Sequence, residues 1–102
     1  MEMIVDFPGG ARVDAHFRGM TIPTDQPRTA GGEDSAASPY ETFLAALATC
    51  AGIYVLGFCR QRGLRTEGIR LVQSVQYDPA TKLATKVALE IELPPDFPQH
   101  VP

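Results

Sequence analysis

Strand-like segments occupy two separate parts of the chain, on either side of one long apolar segment. In the first part, three short stretches at residues 3–7, 12–17 and 20–23 are separated by turns that contain glycine. Residues 24–38 follow and are rich in Gly, Pro and small polar residues, which is typical of a loop. The sequence therefore predicts three short strands and then a long connection.

The long apolar segment is predicted to form a helix over residues 39–62. Ser38 and Glu41 have the spacing of a capping box, in which each side chain bonds the backbone N–H of the other residue. A proline occupies the first helical position, where its missing N–H costs nothing. Two arginines lie in the last turn and Gly63 follows as a C-cap. Both ends of the helix are thus marked by local chemistry.

Residues 42–59 of this helix carry no charged side chain, and 18 residues is the lower limit for crossing a bilayer. Many of them are Ala, Gly or Thr, which dilutes their hydrophobicity. A helix that is apolar on all sides is also typical of a protein core. We therefore expect a buried helix, with a membrane-associated fragment as the weaker alternative.

The second strand-rich part begins after Gly68, where the apolar period changes to two. Residues 69–77 and 83–93 each present one largely apolar face, and the sequence Asp78-Pro79-Ala80-Thr81 between them is typical of a turn. This pattern predicts an antiparallel hairpin with one buried face, and the long helix is its natural cover. The predicted fold class is therefore α+β.

Composition fits one small folded domain over residues 1–102, since 44% of the residues are hydrophobic and 21% are charged. A chain this short buries little surface by itself, which favours a partner chain that completes the core. Its net charge of −3 argues against nucleic-acid binding, which usually requires a surplus of basic residues. Two cysteines are too few for a disulfide scaffold.

The two termini suggest a location and an incomplete domain. Acidic residues stand where an export signal would have basic ones, and no apolar stretch follows, so the expected location is the cytoplasm. Residues 94–102 are rich in proline and predict no helix or strand. We expect them to lead into a further part of the domain that this sequence does not include.

Cys50 and Cys59 are the candidate reactive groups. A separation of nine helical residues places their side chains on opposite faces and about 13.5 Å apart along the axis, too far for a disulfide. A cysteine in an apolar helix is either an inert packing group or, with a nearby cation, a reactive thiolate. The candidate cations for Cys50 are Arg12, Arg18 and Arg28.

Other chemistry has weaker support in the sequence. Neither His16 nor His100 has a second ligand at metal-binding spacing, so no metal site is expected. The sequence Gly31-Gly32-Glu33-Asp34 lacks the Lys-Ser/Thr pair of a phosphate loop. No cofactor is expected.

The segment from Gly31-Gly32 through Ser38-Pro39 to Cys50 resembles the OsmC/Ohr family, whose members have a Gly-Gly pair, a Ser/Asn-Pro pair, an Ala/Leu-rich helix and a cysteine at this spacing. The resemblance implies an α+β fold in which antiparallel sheets wrap long central helices of an intertwined homodimer. It also implies a thiol-dependent peroxidase that reduces organic hydroperoxides in stress defence, with its sites at the subunit interface.

The resemblance assigns roles to particular residues. Cys50 would attack the peroxide and become a sulfenic acid, and Arg12, or alternatively Arg18, would be the activating cation. Tyr40 stands where the Ohr branch has a glutamate, and Glu41 comes one residue later, so the chain is more similar to the OsmC-like branch. Glu41 would then be a structural cap near the pocket.

The family's second cysteine resolves the sulfenic acid, and no cysteine follows Cys59 in this sequence. Either the sequence lacks the C-terminal helical part that carries this cysteine in the family, or an external thiol or lipoyl group is the reductant. A competing hypothesis is a non-catalytic, stress-associated dimer that binds a small hydrophobic ligand at its interface and uses Cys50 only for packing.

Overall fold

The computed structural model describes residues 1–99 and forms two compact units, Met1–Ala46 and Leu47–Pro102. In the first unit, β1 (Ile4–Gly9), β2 (Arg12–Phe17) and β3 (Met20–Thr24) form an antiparallel sheet in that order. The three predicted strands are confirmed.

A two-residue turn joins β2 to β3. Phe17 pairs with Met20, and the residues between them, Arg18 and Gly19, both have positive φ angles, of 48° and 77°. Two positive φ values define the type I′ turn, whose twist matches that of the flanking strands. Glycine adopts this backbone conformation at no steric cost, and it occupies the second of the two positions.

The loop after β3 is organised around one buried carboxylate. Asp25 is 1% exposed and accepts hydrogen bonds from the backbone N–H groups of Gln26, Glu33 and Ser35 and from the hydroxyl of Ser35. A single 3-10 turn at Arg28–Ala30 lies within this loop. The predicted loop is therefore ordered, because its backbone donors converge on one anion.

Helix α1 extends over Pro39–Gln61, and both of its ends have the predicted caps. At its start, the Ser38 N–H donates to Glu41 Oε1 at 3.0 Å and the Glu41 N–H donates to Ser38 Oγ at 3.1 Å. At its end, the N–H of Leu64 donates to the Cys59 carbonyl and that of Gly63 to the Arg60 carbonyl. These two bonds form a Schellman motif.

The prediction that α1 is buried is wrong for the single chain. Of the apolar residues that the structure describes, only Leu44 and Cys59 are buried. Larger side chains on α1 stay accessible, and Tyr54 is 79% exposed. The helix is long and apolar enough to cross a membrane by length and composition, which core helices of soluble proteins also satisfy. Within one chain, the helix finds too few neighbours to bury its apolar surface.

In the second unit, β4 (Arg70–Tyr77) and β5 (Ala84–Glu92) form the predicted antiparallel hairpin. Asp78 closes its turn, since Asp78 Oδ1 accepts the N–H groups of Ala80 and Thr81. Leu71 faces Ile91 across the pair and Val75 faces Val87, as the apolar period requires.

The predicted burial of this hairpin face is also wrong for the single chain. Val87 is 47% exposed and Ile91 is 53% exposed, because the chain covers only part of the face. Beyond β5, residues 93–99 form turns and no helix or strand, in agreement with the sequence. The rest of that predicted segment, residues 100–102, lies outside the described residues.

Candidate active site

The two thiols differ sharply in accessibility. Both cysteines are free, and Cys50 is exposed on α1 whereas Cys59 is 1% exposed. Because α1 is helical from one to the other, their side chains diverge and no disulfide can join them within the chain. Cys50 is thus the thiol that a dissolved reactant can reach.

Arg12 lies on β2 and forms an ion pair within the first unit. Its Nη2 donates to Asp14 Oδ2 at 3.1 Å, and the Arg12 side chain is 42% exposed while that of Asp14 is 10% exposed. Arg12 also borders a small cleft of about 180 Å³ beside Gly9, Asp25 and Glu33. Its guanidinium is therefore already engaged by one carboxylate, and two further acids line the same cleft.

The other two candidate cations lie on exposed turns of the same unit. The Arg18 guanidinium lies 5.8 Å from the centre of the Phe17 ring, within cation–π range. Arg28 is exposed at the start of the 3-10 turn. Both arginines have the exposure that a mobile counter-charge requires.

Glu41 is a helix cap, as predicted. The hydrogen bond from the Ser38 backbone N–H, together with the bond between the Glu41 backbone and the Ser38 side chain, closes the first turn of α1. The backbone bond from Ser38 is the largest cause that lowers the pKa of Glu41 below its ordinary value. The carboxylate therefore stays charged at neutral pH and complements the positive end of the helix.

These side chains belong to different units. Arg12, Arg18 and Glu41 lie in the first unit, and Cys50 lies in the second. The ion pair between the Cys50 thiolate and a guanidinium therefore stays a prediction from the family resemblance.

The second unit contains an apolar groove of about 440 Å³ between the end of α1 and the hairpin. Its lining is aromatic and aliphatic and includes the buried thiol: Tyr54, Val55, Phe58, Cys59, Ile69, Ile91, Leu93 and Phe97. Next to it, the Arg62 guanidinium lies 3.7 Å from the centre of the Phe58 ring. Such a groove suits hydrocarbon groups and offers little to a small polar molecule.

A polar cluster in the first unit was missed by the sequence analysis. Asp6, Asp14 and His16 place potential metal-ligating atoms within 4.8 Å of one another. Pairing of β1 with β2 creates the cluster, because Asp6 lies directly opposite Asp14 and His16 is two residues further along β2. In the sequence, the only signal was that Asp14 and His16 are two residues apart, a spacing that places both side chains on the same face of a strand.

Comparison with known proteins decides the family. The model of the OsmC-like protein family matches residues 32–100, about two thirds of the chain. The chain belongs to the OsmC-like family. The OsmC-like match contains Glu41 and Cys50, whereas Arg12 and Arg18 precede it.

A solved structure extends the OsmC-like likeness to the fold of nearly the whole chain. It is that of a protein from Psychrobacter arcticus 273-4 named for osmotic stress induction and a detoxification response. The two structures superpose with a TM-score of 0.75 at 22% sequence identity, over 91% of this chain and 72% of the other. No curated protein sequence matches the chain. The α+β fold with one helix and antiparallel sheets is therefore that of an OsmC-like protein.

Proposed function

We propose that this OsmC-like protein is a stress-related thiol peroxidase that reduces organic hydroperoxides through Cys50. The observation that carries the proposal is the free, exposed thiol of Cys50 on α1, while Cys59 is buried. The family resemblance places the reactive cysteine at Cys50, which lies within the matched residues. A thiol must be accessible and ionised to attack a peroxide. Of the two thiols, Cys50 meets the first requirement.

The proposed reaction begins when the Cys50 thiolate attacks the terminal oxygen of a hydroperoxide. An S–O bond forms and the O–O bond breaks, so sulfur is oxidised to the sulfenic acid and the alkoxide leaves and takes a proton to become an alcohol. A guanidinium stabilises the thiolate before attack and the alkoxide during it. Arg12 is our first candidate for this role and Arg18 is the alternative, and Glu41 holds the helix start.

Reduction of the sulfenic acid then requires a thiol other than Cys59, because the two cysteines cannot bridge within α1. An external thiol condenses with the sulfenic acid to a mixed disulfide and water, and a second thiol releases Cys50. A small dithiol or a lipoyl group supplies both. The reducing cytoplasm is the compartment that we propose for this cycle.

A homodimer is part of the proposal. Exposed apolar side chains cover much of α1 and one face of the hairpin, and Leu44 and Cys59 alone among the described apolar residues are buried. Apolar surface of this extent is unfavourable in water and marks an interaction surface. A second copy of the chain, wrapped as in the family, would cover it.

Peroxide consumption tests the proposal directly. Purified protein with cumene hydroperoxide and dithiothreitol should consume peroxide, Cys59→Ala should retain the rate, and Cys50→Ser should fall to the uncatalysed background. Dimedone followed by mass spectrometry should label Cys50 only. If Cys50→Ser consumes peroxide as fast as the parent protein, the proposed function is wrong.

The same assay assigns the cation. Removal of a charge-stabilising group from a transition state lowers the rate about 100-fold. Arg12→Ala should therefore lower the second-order rate by this factor if Arg12 contacts the thiolate, whereas Arg18→Ala should leave it unchanged. The reverse result would transfer the role to Arg18.

A second candidate function, binding of a small hydrophobic ligand without catalysis, is favoured by the apolar groove beside Phe58 and Ile91. An environment-sensitive apolar dye should then bind with a defined stoichiometry, and Ile91→Asp should abolish binding. Peroxide consumption by the parent protein that is lost in Cys50→Ser supports the peroxidase. Dye binding without any peroxide consumption supports the alternative.

A further inference from the structure

We propose that Asp6, Asp14 and His16 form a binding site for a divalent zinc ion on the polar face of the β1–β2–β3 sheet. This inference is independent of the proposed peroxidase. It starts from cross-strand pairing, which places Asp6 directly opposite Asp14 and puts His16 on the same face, two residues along β2. Three potential ligand atoms, one from each residue, lie within 4.8 Å of one another.

The geometry is close to that of a zinc site. His16 Nε2 lies 3.0 Å from Asp6 Oδ1. Zinc bonds to nitrogen and oxygen are about 2.0 Å long, so two ligand atoms of a tetrahedral site lie about 3.3 Å apart. The His16–Asp6 distance is thus close to the length required, and the Asp14 ligand atom lies within 4.8 Å of the other two. Water can supply the fourth ligand, because Asp6 is exposed.

The imidazole ring is also fixed by a second hydrogen bond, at its other nitrogen. His16 Nδ1 is 2.9 Å from Thr21 Oγ1, on the neighbouring strand β3. Metal-binding histidines use a hydrogen bond at one ring nitrogen to fix the ring while the other nitrogen binds the ion. Thr21 provides that bond from outside the ligand set. Zinc would replace any proton shared between Nε2 and Asp6, and this proton would be released to solvent.

Electrostatics favours a cation here and identifies its competitor. Carboxylates directly opposite each other on paired strands repel, as Asp6 and Asp14 do. In this structure His16 contacts one of them and Arg12 the other. Zinc and the Arg12 guanidinium would therefore compete for Asp14. Removal of the Arg12 charge should tighten zinc binding, a result that a site without Asp14 would not produce.

Zinc titration tests the site in the untagged chain of residues 1–102. The chain has two histidines, so His100→Gln leaves a single imidazole, and Cys50→Ser in the same background removes the exposed thiol as a competing ligand. Zinc should shift the ¹⁵N resonance of His16 Nε2, and calorimetry should give one ion per chain. His16→Gln and Asp14→Asn should each weaken binding more than tenfold, and Arg12→Gln should strengthen it severalfold.

Controls separate ligation from general charge. Thr21→Val should weaken binding about tenfold, as is usual for the partner of a metal-binding histidine. Asp34→Asn, an exposed acid in the loop, should leave the affinity unchanged. If the circular dichroism spectrum shows that a ligand variant is unfolded, its affinity is set aside. The zinc-dependent shift of the His16 Nε2 resonance in the folded background protein then tests the proposal. An Nε2 resonance that stays unshifted at millimolar zinc, or equal affinity in His16→Gln, would overturn the proposal.

Discussion

The Asp25 carboxylate accepts two hydrogen bonds from Ser35, one from the hydroxyl at 2.6 Å and one from the backbone N–H at 3.1 Å. The N–H groups of Gln26 and Glu33 donate to the same carboxylate. The Ser35 hydroxyl is the largest cause that lowers the pKa of Asp25 from 3.8 to about 2. One anion therefore closes the loop over residues 25–35, directly before the capping box of α1.

Acid should remove this contribution to stability. The pKa of Asp25 is lower in the folded chain than in the unfolded one, so its stabilisation is complete above pH 4 and is lost as the pH falls from about 4 towards 2. Asp25→Asn should lower the free energy of unfolding at pH 7 and have a smaller effect at pH 2. Urea unfolding at both pH values measures this difference. An equal effect of the substitution at the two pH values would contradict the assignment.

Gly32 should be irreplaceable in the same loop. A Cβ atom at this position would lie 2.0 Å from the Gln26 carbonyl oxygen and 2.7 Å from Asp25 Oδ1. Neither group can move without opening the hydrogen bonds around Asp25, so Gly32→Ala should destabilise the protein by about 3 kcal/mol or more. Thermal unfolding measures the loss. Glu33→Ala, at the exposed neighbouring position, is the matched control and should change stability by about 0.5 kcal/mol or less.

The elements of the fold could be predicted from the sequence because their limits depend on local chemistry. Ser38 and Glu41 satisfy each other's backbone within four residues, and Gly63 ends α1 with a positive φ of 64°. The hairpin turn likewise depends on Asp78 and its next few residues. Patterns over such short distances are visible along the chain.

Burial and the polar clusters could not be predicted in this way. The alternation of apolar residues shows which face of a strand is apolar, but it does not show whether another surface covers that face. His16 and Asp6 are ten residues apart, and only the register of β1 with β2 brings them together. Asp25 accepts hydrogen bonds from N–H groups of a loop whose sequence has no hydrophobic periodicity. The pairing of Cys50 with Arg12 stays a prediction for the same reason, since it depends on tertiary arrangement.

Thiol labelling should distinguish the two cysteines in the native protein. Cys50 is exposed and Cys59 is 1% exposed, so a disulfide reagent should react rapidly with one thiol per chain and slowly with the other. Cys50→Ser should remove the fast phase and Cys59→Ala should leave it unchanged. In denaturant both thiols of the parent protein should react at similar rates. A fast phase that survives in Cys50→Ser would contradict the structure.

The apolar face of the hairpin provides a test of the proposed homodimer. Val87 lies on this face opposite Val75 and is 47% exposed, whereas Lys86 lies on the other face opposite Gln76. If a second copy covers the apolar face, Val87→Glu buries an unpaired charge at a cost of about 3 kcal/mol, which raises the dimer Kd about 100-fold. Lys86→Glu introduces the same side chain at the neighbouring position on the polar face and should leave the dimer intact. Light scattering over a concentration series measures both constants. A monomeric parent protein, or equal effects of the two substitutions, would show that this face is not the dimer interface.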